Sequence, residues 1–206
     1  MATQTELTGY VLIGEATAFF LSCLLLPILR MRLRSGRFGI AVHRAVNPVQ
    51  RVMGVALSLW VIASMAWPAL FWILGPRTLD VWTAPSAGWL AGIALLAAGI
   101  ALVVVAQWQM GASWRIGIDD APTGLVTEGV FRMARHPIYT GLVLAMAGTV
   151  LVTPSPWTVS ALVMSLLFLS LETRLEEEHM LAIHGDAYRA YARRVGRFFP
   201  TIGRLS

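Results

Sequence analysis

The chain has 206 residues, of which 57% are hydrophobic and only 13% charged, about half the charged share of a soluble globular domain. So apolar a chain lacks the polar surface to cover itself in water, which makes lipid its expected solvent. Its net charge is +5, every basic residue is Arg, and fifteen of the sixteen lie in three segments that flank apolar runs; this pattern reads as a membrane topology signal and argues against a nucleic-acid surface.

The first nine residues carry no positive charge, and no small-residue cleavage site follows the first apolar run, so no cleavable signal peptide is expected. Three apolar runs come next: Tyr10 to Leu29, Val52 to Leu74 and Trp89 to Met110. Each reaches the roughly 20 residues that a helix needs to cross hydrocarbon. Two shorter runs, Ile138 to Val152 and Trp157 to Leu171, are separated by Thr153-Pro154-Ser155-Pro156. Proline lacks a donor N–H and restricts its predecessor, so this pair predicts a tight helical hairpin. Good helix formers run on from Glu172 to Gly185, a natural helix stop. Beyond it, Asp186 can cap a short amphipathic segment with Tyr188, Tyr191, Ala192 and Val195 on one face, able to lie on the inner leaflet or against the protein. The expected fold is all-α: a polytopic membrane protein of about five transmembrane helices, the last two a hairpin, with a cytoplasmic C-terminal helical extension. A single membrane domain is expected over 1–206, in which 1–88 supply two helices and a basic loop and 89–206 the catalytic core.

Orientation follows from the arginines. Segments 30–51, 111–137 and 172 onward belong in the cytoplasm, which leaves the N-terminus and the turns at 75–88 and 153–156 outside. Trp67, Trp72, Trp82, Trp89 and Trp157 then fall near the outer ends, and Trp108 and Trp114 near the inner one, as interfacial belts do. Cys23 stands alone in an apolar run, and His43, His179 and His184 have no ligand spacing, so neither a disulfide framework nor a metal site is expected. Glu15 lies within about two turns of the outer end of its run, close enough to snorkel.

Unusual residues concentrate in three stretches, all on the cytoplasmic side. Thr123 to Phe131 is a loop rich in Gly and Thr. In Arg135-His136-Pro137-Ile138-Tyr139, Pro137 suits the first turn of a helix, where its missing N–H costs nothing. That puts His136 near the N-cap, at a helix end that favours an anion such as a cofactor carboxylate. Further on, Arg174 and Glu178 are four apart and share a helix face. The hairpin brings Arg135, His136 and Tyr139 opposite Arg174, Glu177 and Glu178. Glu176, by contrast, reads as a solvated acid.

These motifs carry a resemblance. Leu125-Val126-Thr127-x-Gly129-Val130-Phe131, Arg135-His136-Pro137-x-Tyr139-x-Gly141, Glu177-Glu178-x-x-Leu181, Gly185, Tyr188, Tyr191 and Arg197-Phe198-Phe199-Pro200 resemble the isoprenylcysteine carboxyl methyltransferase family, which shares them with phospholipid N-methyltransferases. The likeness covers about residues 105–200. It implies an integral membrane enzyme that transfers a methyl group from S-adenosylmethionine, releasing S-adenosylhomocysteine, without a soluble nucleotide-binding fold. It also implies a cofactor pocket built from Thr123, Gly124, Leu125, Val126, Phe131, His136, Pro137, Ile138, Tyr139 and Glu178, with Arg174 toward the methyl acceptor and Arg174 and Glu178 catalytic. The family often has Tyr where this chain has Phe131. A lipophilic acceptor, a carboxylate by preference, would enter laterally from the bilayer of a bacterial inner membrane. An amine or thiol acceptor would need a base, for which His136 and Glu177 are candidates. The rival readings are a phospholipid or amine N-methyltransferase, an NADPH-dependent sterol-type reductase, and a membrane scaffold or accessory subunit.

Overall fold

The computed structural model describes residues 3–36, 48–114 and 124–205. Among these it is helical, with no strand and two isolated backbone bridges. Helix α1 (Gln4–Phe19) starts at a capping box: the Thr3 hydroxyl accepts from the Glu6 amide and the Glu6 carboxylate accepts from the Thr3 amide. It passes through a π-helical turn, Phe20–Leu25, into α2 (Leu26–Ser35). Helices α3 (Pro48–Met65), α4 (Trp67–Thr78), α5 (Ser86–Met110), α6 (Pro137–Val152) and α7 (Pro156–Arg194) follow.

Among the described residues, three helical stretches are long and apolar enough to cross a bilayer: Gln4–Arg34, Ser86–Met110 and Pro156–Arg194. A fourth is formed by the α3–α4 pair if its bent halves count as one, and α6 is a shorter apolar helix of 16 residues. The chain is an integral membrane protein. Its second apolar run, expected as one continuous helix from Val52 to Leu74, bends by 50° at Ala66. Pro68 is the cause: it sits in the first turn of α4, where it cannot donate to the preceding turn.

Helices α5 and α6 form the tightest pair, because glycines remove the side chains between their backbones. A Cβ on Gly99 would stand 2.5 Å from the Gly141 carbonyl oxygen, and one on Gly148 would stand 2.6 Å from that of Gly92. In lipid, such close approach gives the dispersion contacts that hydrophobic burial cannot supply. Gly99→Leu should therefore separate α5 from α6 and lower the melting temperature of the detergent-solubilised protein by at least about 5 °C, as a loss of about 2 kcal/mol would do. An unchanged melting curve would mean that the pair is held from elsewhere.

The end of the bundle away from the arginine-rich segments is tied by indoles. Trp89 donates to the Thr8 hydroxyl at 2.9 Å and Trp67 to that of Thr153 at 3.3 Å, so two belt tryptophans also crosslink helices. Trp72, Trp82, Trp108 and Trp157 are exposed, as belt residues are, whereas Trp114 is buried. Glu15 does not simply reach outward: its carboxylate accepts from the Thr149 hydroxyl on α6 at 2.9 Å.

Candidate active site

Helices α6 and α7 run antiparallel, so the start of α6 lies beside the polar half of α7. Two carboxylates of α7, Glu176 and Glu177, join them, and Glu177 is the more deeply buried. Glu177 is buried and meets three cationic or potentially cationic side chains. Arg135 donates to its Oε1 through Nε at 3.0 Å and Nη2 at 2.7 Å. Arg197 donates to Oε1 through Nε at 3.0 Å and to Oε2 through Nη2 at 2.7 Å. His136 Nε2 lies 3.3 Å from Oε1. Charge-assisted, forked contacts of this kind are the strong ones, and burial of Arg135 and Glu177 strengthens them further.

Arg135 uses its remaining donors on backbone carbonyls of the C-terminal segment, namely those of Ala192, Val195 and Gly203. The main chain adds two ties, from the Arg135 amide to Gly196 at 2.9 Å and from the His136 amide to Arg197 at 3.0 Å, and the Thr140 hydroxyl donates to Phe198. Gly196 is required there, because a Cβ would meet the Phe199 carbonyl oxygen at 2.0 Å. The Arg197-Phe198-Phe199-Pro200 segment is thus a strap across the start of α6. The expected helix stop at Gly185 is a kink with φ +51°. Past it, Tyr188, Tyr191, Ala192 and Val195 are buried against Leu125, Met180, Leu181 and Leu205, so the amphipathic segment packs on the protein.

His136 is the N-cap residue of α6 and Pro137 its first residue. The imidazole is held on both sides, with Nδ1 3.2 Å from Glu176 and Nε2 against Glu177. Burial alone would lower its pKa, but the hydrogen bonds to Glu176 and Glu177 and the charge of both carboxylates outweigh burial and raise it above the ordinary histidine value. Tyr139 stacks on this ring at 5.7 Å between centroids and donates its hydroxyl to Glu176.

Beside this cluster lies a cavity of about 140 Å³, lined by Gly124, Leu125, Val126, Phe131, His136 and Glu176 together with Met110, Ser113, Arg135, His179, Met180, Tyr188 and Tyr191. Five residues expected at a cofactor therefore share one wall system. Pro137 is buried and Ile138 half-buried at the start of α6, neither of them lining the cavity, and Thr123 lies outside the described residues. The glutamates divide differently from the sequence expectation: Glu176 faces the cavity, Glu177 locks the cluster, and Glu178 is exposed, as is Arg174. Helical phase is the reason. Ser165, Leu169, Thr173 and Glu177 form the buried stripe of α7, and at about 100° per residue Glu178 is turned about 100° away from Glu177, off that stripe, with Arg174 near it.

The donor set suits S-adenosylmethionine. Backbone groups and the small Gly124 can follow a ribose or adenine edge, Glu176 can accept from hydroxyl or ammonium groups, and the end of α6 favours a carboxylate. Phe131, Tyr188 and Tyr191 add aromatic rings to the lining of the same cavity.

The match to known proteins falls on this same region. Residues 88–187 match the family model of phospholipid methyltransferase. The chain is 29% identical over 174 residues, 76% of its length, to a methanethiol S-methyltransferase of Pseudomonas deceptionensis, and 25% identical over 171 residues, 78% of its length, to one of Crocosphaera subtropica. It spans 62% and 64% of the length of these two relatives. A shorter stretch, 38% of the chain and 34% of its counterpart, is 33% identical to the protein-S-isoprenylcysteine O-methyltransferase of Schizosaccharomyces pombe. The fold is that of a eukaryotic intramembrane Ras methyltransferase, isoprenylcysteine carboxyl methyltransferase, with a TM-score of 0.68 over the whole chain and 71% of that structure, at 20% identity. Spaced motifs, family match and fold agree: residues 88–187 are similar to the phospholipid methyltransferases, and the chain has the fold of an isoprenylcysteine carboxyl methyltransferase.

Proposed function

We propose that the protein transfers a methyl group from S-adenosylmethionine to a lipophilic acceptor at the cytoplasmic face of the membrane. One observation carries this reading: the cavity that gathers Gly124, Leu125, Val126, Phe131 and His136 around the Glu176 carboxylate, at the polar end of an apolar bundle. The cofactor, when bound, supplies an electrophilic methyl group. The chain supplies position. Glu176 and the start of α6 hold the polar groups, the buried Glu177 cluster keeps both in register, and exclusion of water favours an in-line displacement.

In this reading the chain crosses the bilayer five times, with α6 and α7 as a hairpin, the N-terminus outside, the C-terminus inside and 89–206 as the catalytic core of one domain. Its home is a bacterial inner membrane. Arg174, exposed on α7 close to the cluster, holds the acceptor, and Glu178, one turn on, completes that side.

A carboxylate acceptor suits the geometry best, because it need lose no proton. Both nitrogens of His136 and both oxygens of Glu177 are already engaged, so neither is placed as a base. A thiol acceptor is the second reading, favoured by the names of the two relatives matched over three quarters of the chain. Its base would be Glu172, whose Oε2 is buried without a hydrogen-bond partner among the described residues, one turn before Glu176.

Calorimetric titration of the detergent-solubilised protein should show saturable binding of S-adenosylhomocysteine and none of NADPH. Glu176→Gln should weaken the former about tenfold, the cost of one charge-assisted hydrogen bond. Saturable NADPH binding would turn the reading to a reductase, and binding of neither ligand to a scaffold.

A further inference from the structure

The strap ends in a turn whose apolar side chains are not covered by the protein. In Phe199-Pro200-Thr201-Ile202 the Ile202 amide donates to the Phe199 carbonyl at 3.3 Å, with Pro200 and Thr201 as the two central residues. Thr201 stands at φ +70°, the left-handed value that the second central position of a type II turn requires and that a β-branched residue resists. Strain of this kind persists where the flanks are pinned. Here the Ile202 carbonyl accepts from the Arg197 amide, the Gly203 carbonyl accepts from Arg135, and the Leu205 amide donates to Ala192. The turn is therefore held from both arms and cannot fold inward. Phe198 lies against the His136 ring, but Phe199 is 50% and Ile202 66% exposed, with Pro200 exposed between them.

Helix α7 sets the depth of this turn. It is long and apolar enough to cross the bilayer and starts at Pro156. A crossing takes about 20 residues for roughly 30 Å of hydrocarbon, so α7 leaves the acyl chains near Leu175. Glu177 comes two residues later, and Arg197 of the strap donates to it through Nε and Nη2. The strap thus sits at the level of the lipid headgroups, where an exposed aromatic or aliphatic side chain can reach acyl chains.

Its charge is one-sided. From Ala187 to Ser206 the sequence holds five arginines and no acidic residue. Arg189 pairs with Asp186, and Arg197 with Glu177. The other three, Arg193, Arg194 and Arg204, are exposed and form no ion pair with the described residues. We propose that this turn is an interfacial anchor for an anionic leaflet. Phe199, Pro200 and Ile202 enter the leaflet at the arginine-rich end of the bundle, and Arg193, Arg194 and Arg204 hold anionic lipid headgroups around them.

Spin labels on the full chain in nanodiscs test this. Cys23, only 2% exposed, is first removed as Cys23→Ala. Single labels are then placed by Phe199→Cys and, separately, by Ile202→Cys, with a control at Asp186→Cys, where the native side chain is 95% exposed. In equal parts of phosphatidylcholine and phosphatidylglycerol, labels at 199 and 202 should collide more with oxygen, which concentrates among acyl chains, than with a water-soluble nickel chelate. The label at 186 should do the reverse. In phosphatidylcholine alone, the labels at 199 and 202 should shift toward water. Arg193→Gln with Arg194→Gln and Arg204→Gln should abolish that difference between the two lipids. Nickel access at 199 and 202 equal to that at 186 would overturn the anchor. Equal depth in both lipids with the arginines intact would overturn its anionic partner. Shielding of both labels from oxygen and nickel alike would show a protein surface covering the turn, and would overturn the assignment as well.

Discussion

Glu177→Ala should yield a chain that no longer holds its fold in detergent, seen as loss of a monodisperse elution peak and of a cooperative thermal transition. The Arg135 and Glu177 side chains are 1% and 5% exposed. Removing the acid leaves the buried Arg135, with His136 and Arg197, facing a void. Removing one partner of a buried pair costs about 3–5 kcal/mol, a large part of the 5–15 kcal/mol that keeps a domain folded. The loss spreads, because Arg135 also holds the carbonyls of Ala192, Val195 and Gly203. Glu177→Gln should be little better, since its amide presents donors to guanidinium donors. Arg135→Lys should fail as well: one ammonium cannot reach a forked carboxylate and three separate carbonyls together. A Glu177→Ala protein with an unchanged melting temperature would remove the keystone role.

This role was only half legible in the sequence. The apolar runs, the proline-marked turn and the helix break at Gly185 announce themselves locally, because each depends on what a few neighbouring residues can or cannot do, although the break is a kink and not the expected stop. The same holds for Arg135, His136 and Pro137 at the start of α6. Three consecutive glutamates carry no such mark. Which of Glu176, Glu177 and Glu178 turns inward is decided by helical phase against the buried stripe of Ser165, Leu169 and Thr173, and two small polar residues in that stripe hide it from a hydrophobicity reading. The strap is hidden for another reason. Arg135 and Gly203 are 68 residues apart, and no local pattern says that the chain returns. The glycine seam of α5 and α6 lies within the sequence as two pairs, Gly92 with Gly99 and Gly141 with Gly148, but their pairing appears only once the helices are laid side by side. The break at Ala66 was readable from Pro68 and was masked by the apolar residues on both sides.

Arg174→Ala should show the opposite behaviour to Glu177→Ala: an intact protein that does not transfer methyl groups. Arg174 is exposed, lies off the buried stripe, and forms no hydrogen bond or salt bridge with the described residues. Surface substitutions of that kind change stability by about 0.5 kcal/mol or less, so elution and melting should match the unaltered chain, and S-adenosylhomocysteine should bind as before. Turnover should not survive. An arginine that aligns a carboxylate beside an electrophilic methyl group contributes a bidentate contact that water cannot replace, and loss of one such preorganised contact costs about 100- to 1,000-fold in rate. Glu178→Ala, one turn away on the same face, should behave alike. Arg174→Lys should recover a fraction only, since an ammonium keeps the charge and loses the fork. The assay uses methyl-labelled S-adenosylmethionine with N-acetyl-farnesylcysteine as carboxylate probe and methanethiol as thiol probe. If the carboxylate probe is the better acceptor, the arginine should matter most for it; if only methanethiol is methylated, Arg174→Ala should be nearly silent and Glu172→Gln should be the variant that stops the reaction. Near-normal turnover of the carboxylate probe by purified Arg174→Ala would remove the arginine from the acceptor site, while leaving the Glu177 cluster and the cofactor cavity beside it untouched.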